Sequence, residues 1–147
     1  MIALTRKCQY ALRALYFLAT EYGNGPVLIP RISAHANTSA DFLETILLQL
    51  KNAGLLESRR GRNGGYSLLV PPDQVTVGAI IRIIDGPLVT LPCVDQRGTR
   101  PCQDCTDASF CEIRFFMRDA QEAVATILDN TSLMSACERA TSIANAK

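Results

Sequence analysis

Apolar residues recur at helical spacing near the start of the chain and predict an amphipathic helix. Thr5 can act as the N-cap of this helix, which is expected to end before Gly23. Its apolar face consists of Tyr10, Ala11, Ala14, Leu15 and Leu18. A second, short helix follows with Pro30 in its first turn, where the missing N–H group costs nothing, and it runs to about Ala36.

The next apolar repeat predicts a third helix after a very short connection. Asn37 tolerates the left-handed conformation that a helix end needs, and Ser39 can cap the helix that follows and that stops at Gly54. The apolar face of the third helix is expected to hold Phe42, Leu43, Ile46, Leu47 and Leu50. Two helices joined by about three residues are typical of a helix-turn-helix.

A glycine-rich hairpin is predicted directly after these helices. Residues 55–60 and 66–70 have strand character, and they flank residues 61–65, whose glycines allow the positive φ of a tight loop. Two prolines at 71–72 end the second strand. A helix-turn-helix followed by a hairpin indicates a winged helix, so the predicted fold class is mainly α with a small β-hairpin wing.

The second half of the chain predicts a cysteine-rich loop between helices. Thr76 can cap a helix that ends near residue 85, and residues 87–110 then show almost no periodicity. A long helix is expected over Glu112–Asp129, and a last helix begins near Leu133. We therefore expect a winged-helix domain at 1–86, a cysteine-rich loop at 87–111 and two helices at 112–147.

Composition and charge narrow the classes of protein that fit. The chain has 147 residues, too few for a two-domain enzyme, and its formal net charge is only +1. Residues 1–70 nevertheless carry a net charge of +4 and residues 71–147 a net charge of −3. Only the first half therefore has the positive charge that attracts phosphate groups. The start of the chain lacks an export signal and no apolar run is long enough for a membrane span, so we expect a cytoplasmic protein without membrane contact.

The predicted winged helix offers three groups of residues for binding double-stranded DNA. A helix that reads the major groove needs short or hydrogen-bonding residues near its N-terminus, and a slim hairpin can place a guanidinium in a narrow minor groove. Basic residues elsewhere can contact phosphates. The candidates are Ser39, Ala40, Asp41, Glu44 and Thr45 on the helix, Arg59, Arg60, Gly61 and Arg62 on the hairpin, and Arg6, Lys7 and Arg31 for the backbone. The alternative is a set of solvated arginines and ordinary helix caps.

Four cysteines fall within nineteen residues as Cys93-x8-Cys102-x2-Cys105-x5-Cys111. Thiolates are soft ligands, so this spacing suits an iron-sulfur cluster or a zinc ion, although zinc favours two close pairs and only one is present. A metal-free protein with free thiols or an occasional disulfide is the alternative. Cys8 and Cys137 lie on apolar helix faces and are expected to be small buried side chains. The one histidine, His35, is expected to be solvated or near phosphate.

Several motifs resemble the family of bacterial winged-helix regulators that includes IscR, NsrR and CymR, also called the Rrf family. They are Leu4-Thr5, Tyr10-Ala-Leu-Arg-Ala-Leu15, Ser39-x-x-Phe-Leu-Glu44, Ala53-Gly-Leu-Leu-Glu-Ser58 and Arg60-Gly-x-x-Gly-Gly-Tyr66. The resemblance implies a homodimer that binds pseudo-palindromic promoter DNA and uses the long helix at 112–129 as its dimerisation stalk. It also places Glu44 at a base-selecting position and Arg60 at the wing arginine.

The same resemblance favours an iron-sulfur cluster over zinc. Cluster-binding members carry three cysteines in this loop, which Cys93, Cys105 and Cys111 match, while Cys102 is additional. The gap from Cys93 to Cys105 is longer than usual, and Gln9 stands where some members supply a carboxylate. Candidate fourth ligands are therefore Cys102, Cys8 of the partner subunit and Gln9 of the partner subunit. Arg114 replaces a ligating histidine and cannot serve.

The function implied by these features is transcription regulation rather than catalysis. We expect promoter affinity to be controlled by a 2Fe-2S or 4Fe-4S cluster that senses cluster supply, nitric oxide or redox state. The alternative is a cluster-free or zinc-binding thiol regulator of the cysteine-metabolism type. An enzyme is not expected, because no Ser/His/Asp or Cys/His arrangement supports nucleophilic catalysis.

Overall fold

Helices dominate the fold, and a two-stranded hairpin is inserted among them. The computed structural model describes residues 3–88, 91–94, 101–103, 105 and 107–146. Its helices are α1 Arg6–Thr20, α2 Ile29–Ala36, α3 Ala40–Asn52, α4 Val77–Asp85, α5 Glu112–Asp129 and α6 Leu133–Asn145, and its strands are β1 Leu56–Arg59 and β2 Gly65–Leu68. Short 3-10 turns lie at Pro92–Val94 and Ala108–Phe110. The predicted mainly α fold with a hairpin wing is confirmed.

Local capping fixes the helix boundaries where the sequence predicted them. The Thr5 hydroxyl accepts a hydrogen bond from the Cys8 backbone N–H at 3.1 Å, and the Ser39 hydroxyl accepts one from Phe42 N–H at 3.3 Å. Asn37 ends α2 in the left-handed conformation with φ 56°. These contacts set the short turn between α2 and α3, so the predicted helix-turn-helix is confirmed.

The hairpin is shorter than the predicted strands and is anchored by a residue outside them. Leu56 pairs with Leu68 and Arg59 with Gly65 in an antiparallel register. Val27, before α2, forms a bridge with Tyr66 through N–H to carbonyl bonds of 2.8 and 2.9 Å. Gly65 has φ +131°, and a Cβ there would overlap the Val27 carbonyl. The wing is thereby held against the start of the helix-turn-helix.

One hydrophobic core joins α1, α2, α3, α4 and the inner face of the hairpin. Its fully buried members include Leu15, Ile32, Leu43, Ile46, Leu47, Leu50, Ile80 and Leu133. Phe42, expected on the apolar face of α3, is 42% exposed and lies outside the buried core. Phe42 lies at the edge of the apolar stripe of α3 and contacts the edge of Tyr10, with ring centroids 6.0 Å apart.

The two C-terminal helices meet the core in different ways. Leu133 at the start of α6 is fully buried, whereas α5 has no buried residue. The end of α5 contacts α4 through Arg82 and Asp129, whose side chains pair at 2.5 and 2.9 Å. Within the described ranges, no helix is both long and apolar enough to span a membrane.

Candidate DNA-binding surface and cysteine cavity

The N-terminal half of α3 presents the five predicted base-reading residues to solvent. Ser39, Ala40, Asp41, Glu44 and Thr45 are all exposed. The Ser39 hydroxyl is already used as the helix cap, and the Thr45 hydroxyl donates to the Asp41 carbonyl at 3.2 Å. The carboxylates of Asp41 and Glu44 are therefore the acceptors that this exposed helix end offers to base edges.

The tip of the wing carries three exposed arginines. Arg59, Arg60 and Arg62 are exposed, and Gly61 between them has φ +103°. The turn is closed by a 3.0 Å bond from Gly64 N–H to the Gly61 carbonyl. The Arg59 guanidinium lies 4.0 Å from a Glu57 carboxylate oxygen, and its side chain remains 68% exposed. A slim turn with exposed guanidinium groups has the shape and charge that a narrow minor groove accepts.

A hydrogen bond links the wing to α3. The Lys51 ammonium, in the last turn of α3, donates to the Ser58 hydroxyl of β1 at 2.6 Å. Burial, and then the nearby Glu44 carboxylate, raise the pKa of the Tyr66 hydroxyl on β2. The sequence prediction missed Lys51, which resembles any other exposed lysine until β1 is folded against α3.

Lys7 and Arg6, both predicted to contact phosphates, lie at the N-terminal end of α1 in different environments. Arg6 is exposed, whereas Lys7 is half-buried and its ammonium donates to Gln49 Oε1 at 2.6 Å. The Gln49 amide in turn donates to the Ile83 carbonyl at 2.7 Å. Gln49 thus links α1, α3 and α4, a role that its position on an amphipathic helix did not reveal.

Arg31 and His35, on α2, both contact the ring of Phe17. The Arg31 guanidinium lies 5.6 Å from the ring centroid and pairs with Glu21 at 3.3 Å, with its side chain 58% exposed. The His35 ring stacks on Phe17 with centroids 4.6 Å apart and is exposed, as expected for a solvated histidine. Phosphate binding by Arg31 stays a prediction.

A cavity of about 310 Å³ gathers all four cysteines of the loop. Cys93 is buried, Cys105 and Cys111 are half-buried, and Cys102 is exposed. Cys111 is the N-cap residue of α5 and makes no side-chain capping bond, so its thiol is not committed to the helix end. Four soft donors therefore surround one space beside the start of α5.

Arg114 braces the loop around this cavity instead of acting as a ligand. Its Nε donates to the Cys93 carbonyl at 3.1 Å and its Nη1 donates to the Ala108 carbonyl at 3.0 Å. The first turn of α5 is thereby tied to both 3-10 turns. These bonds give the side chain a structural role that the spacing of cysteines did not indicate.

Two of the four thiols are close to each other, but the described residues do not form a coordination sphere. Cys102 Sγ lies 3.8 Å from Cys93 Sγ, and this hydrogen bond raises the pKa of the Cys102 thiol. Across the described part of the chain, no three His, Cys, Asp or Glu side chains converge as a metal site. The donor types fit a soft metal or an iron-sulfur cluster, and holding one would require the loop to draw the sulfurs inward.

Cys8 and Cys137 lie outside the cavity. Cys8 is fully buried, and burial, followed by the charge and hydrogen bond of Asp85, raises its pKa to about 12. The expectation that Cys8 is a small buried side chain is confirmed, and its burial in the core of its own protomer argues against Cys8 of the partner subunit as the fourth ligand. Cys137 is half-buried, with Sγ 3.9 Å from the Tyr16 carbonyl.

Residues 4–139 match the family described as "Rrf2: Iron-dependent Transcriptional regulator". The chain belongs to the Rrf2 family. An rrf2-like HTH-type transcriptional regulator from Rhodobacter capsulatus is 39% identical over 133 residues, which are 88% of this chain and 89% of that protein. The predicted family resemblance is confirmed, and the chain is a transcriptional regulator.

Solved structures of Rrf2-type regulators share the same architecture. CymR of B. subtilis, titled the global cysteine regulator, superposes with a TM-score of 0.78 at 32% identity, covering 95% of this chain and 98% of that one. IscR of T. potens superposes with a TM-score of 0.72 at 26% identity, covering 95% and 88%. This Rrf2 chain thus shares its winged-helix fold with regulators of both names.

Proposed function

We propose that this Rrf2 regulator binds double-stranded promoter DNA as a homodimer and that an iron-sulfur cluster in the cysteine cavity sets its affinity for that DNA. The observation that carries the proposal is the convergence of Cys93, Cys102, Cys105 and Cys111 on one cavity at the start of α5.

The DNA-binding part of the proposal rests on the surface formed by α3 and the wing. The α3 N-terminus enters the major groove, where the Glu44 carboxylate accepts from a cytosine amino group. Arg60 and Arg62 extend from the glycine turn into the adjacent minor groove. Arg59, beside them on the wing, is assigned to the same minor groove. Arg6, Lys7 and Arg31 are assigned to phosphates, which fix the register without reading bases.

The homodimer is supported by the apolar face that α5 leaves exposed. Ile113 is 56% exposed, Phe116 58% and Ile127 65%, and Phe110 just before the helix is 82% exposed. Fully burying one such side chain stabilises a protein by about 1.5–3 kcal/mol. An antiparallel or crossed pair of α5 helices would bury several of them and would be stabilised accordingly. Two copies related by a two-fold axis then read a pseudo-palindromic site.

Within the cavity, Cys93, Cys105 and Cys111 are assigned as ligands and Cys102 as the fourth. A cluster held by thiolates supplies a redox-active, oxygen- and nitric-oxide-sensitive centre, and four thiolates suit either a 2Fe-2S or a 4Fe-4S cluster. Arg114 would keep the loop backbone in place through the Cys93 and Ala108 carbonyls while the thiols turn inward.

The connection from the cavity to the DNA-binding surface runs along α5. Cys111 is the residue at the N-cap position of this helix, and Asp129 at its end pairs with Arg82 of α4. The turn after α5 is also bonded to the segment before α4, through Val77 N–H to the Thr131 carbonyl at 2.8 Å and Leu133 N–H to the Val75 carbonyl at 2.8 Å. A change at the cysteine loop that tilts α5 therefore moves α4 and changes the spacing of the two wings, a coupling typically worth about 1–3 kcal/mol.

Anaerobic purification tests the proposal directly. The protein is expected to contain iron and sulfide, to absorb visible light and to give an electron-resonance signal in one redox state. Its affinity for a duplex selected from a random library should change when the cluster is removed by a chelator. Cys111→Ser should lose the chromophore, and Cys137→Ser, outside the cavity, should retain it. An iron-free protein whose DNA affinity ignores chelation would refute the proposal.

A thiol regulator without a cluster is the second candidate function. The structural likeness to CymR favours it, as does the open arrangement of the thiols, which do not converge as a metal site within the described ranges. In that case the anaerobic protein is colourless, metal analysis finds zinc or no metal, and thiol modification alone changes DNA binding.

A further inference from the structure

Two thiols in the cysteine cavity lie close enough to each other to suggest that they can form a disulfide bond. Cys102 Sγ lies 3.8 Å from Cys93 Sγ, and a disulfide bond requires about 2.05 Å. The two sulfurs must therefore close a gap of under about 2 Å. We propose that Cys93 and Cys102 form a disulfide when the cluster-free protein meets hydrogen peroxide.

The two cysteines differ in the ways that such a reaction needs. Cys102 is exposed, so peroxide reaches its sulfur from solvent. Cys93 is buried in the 3-10 turn Pro92–Val94, and its carbonyl is held by the Arg114 guanidinium at 3.1 Å. Cys102 is thus the accessible residue that is oxidised first, and Cys93 is the fixed neighbour that resolves it.

The reaction balances with peroxide as the sole oxidant. The Cys102 thiol gives up its proton as its sulfur attacks one peroxide oxygen, the O–O bond breaks, and the departing hydroxide takes up that proton, so the products are a sulfenic acid and one water molecule. The Cys93 sulfur then attacks the sulfenic sulfur, an S–S bond forms, and the hydroxyl leaves as a second water molecule. Two thiols lose two hydrogens in total, and one peroxide is reduced.

Cys105 is the competing partner for Cys102, because the two form a close Cys-x2-Cys pair in the sequence. Their backbones are joined by a 3.0 Å bond from Cys105 N–H to the Cys102 carbonyl. The side chain of Cys102, however, is directed at Cys93, whose sulfur lies 3.8 Å away. The geometry therefore favours the longer link over the local one.

The disulfide would take two of the four thiols out of the cavity. This consequence rests on the proposed cluster: the oxidised protein should fail to accept iron and sulfide until a reductant restores both thiols. Cys102, the cysteine that the family resemblance does not explain, would then protect Cys93 from irreversible oxidation while the cavity is empty.

Peptide mapping of the full-length, cluster-free protein tests the link. The protein is treated with hydrogen peroxide, remaining thiols are alkylated, and trypsin is added without reductant. Cleavage after Arg97 separates the Cys93 peptide, 83–97, from peptide 98–114, which holds Cys102, Cys105 and Cys111. A 93–102 bond joins these two peptides, whereas bonds among the other three cysteines lie within one peptide.

The expected result is one linked pair of peptides, resolved to Cys93 and Cys102 by fragmentation. Cys102→Ser should lose the linked pair, and the matched controls Cys105→Ser and Cys137→Ser should keep it. A bond within peptide 98–114, or sulfinic acid at Cys102 with an alkylated Cys93, would overturn the proposal.

These outcomes are independent of the iron-sulfur proposal, because they are read by mass in protein that contains no metal. A colourless protein that forms the 93–102 bond refutes the cluster and keeps the disulfide. A coloured protein whose cluster-free form yields no 93–102 bond supports the cluster and refutes the disulfide.

Discussion

Replacing Asp129 with asparagine perturbs an ion pair that joins the end of α5 to α4. Arg82 Nη1 and Nη2 contact the two carboxylate oxygens of Asp129 at 2.5 and 2.9 Å, a bidentate arrangement. Gly78 allows this approach, since a Cβ there would overlap the Asp129 carboxylate. Asparagine preserves the size of the side chain and removes its charge.

The expected cost is small because the pair faces solvent. The side chains of Arg82 and Asp129 are 41% and 43% exposed, and pairs in such positions are worth about 0.5–1 kcal/mol. For a chain of this size that corresponds to a fall in Tm of about 1–4 °C. Arg82 lowers the pKa of Asp129 from 3.8. The stabilisation by this ion pair is therefore complete above pH 3.8 and is lost as the pH falls through the lowered pKa of Asp129.

A double-mutant cycle with Arg82→Gln measures the pair itself. Urea unfolding is followed at one fixed protomer concentration and at low and high salt, so that dimerisation does not shift the result. Asp129→Asn should cost about 0.5–1 kcal/mol alone and almost nothing in the Arg82→Gln background, and the cost should shrink in high salt. An equal cost in both backgrounds would show that Asp129 acts without Arg82 and would refute the reasoning.

Four further outcomes follow from burial and contact elsewhere in the chain. Leu133→Ala removes a fully buried side chain and should lower the free energy of unfolding by about 2–5 kcal/mol in urea titrations. Gly65→Ala should detach the wing from Val27, because the new Cβ meets the Val27 carbonyl; amide exchange of the Val27–Tyr66 bridge reports this, and unchanged protection would contradict it. Arg60→Ala should weaken DNA binding by about 1–3 kcal/mol, mainly where the wing meets A·T pairs; an unchanged preference in competition binding would argue for a phosphate contact. Cys8, buried with a pKa near 12, should resist alkylation in the native protein, and rapid labelling of it would contradict its burial.

The amino-acid sequence by itself determined the local elements and their order. Thr5, Ser39 and Thr76 each cap a helix through a hydroxyl that accepts a backbone N–H three residues ahead, and such contacts lie within a single turn. Asn37 and the glycines of the hairpin likewise act through local backbone geometry. The helix-turn-helix, the wing and the long C-terminal helix could therefore be predicted.

The tertiary structure alone decided which distant side chains meet. Gln49 links Lys7 to Ile83, Lys51 reaches Ser58, and Arg114 holds the Cys93 carbonyl. Phe42 lies on the apolar face of α3 but outside the buried core. How much of an apolar face becomes buried depends on how the neighbouring helices pack against it. Cysteine spacing indicated a soft-metal site, but the distance between Cys93 and Cys102 depends on the path of the loop between them. Long-range contacts of this kind carry no periodic signal in the chain, because they arise only when separate elements are brought together by burial of the core.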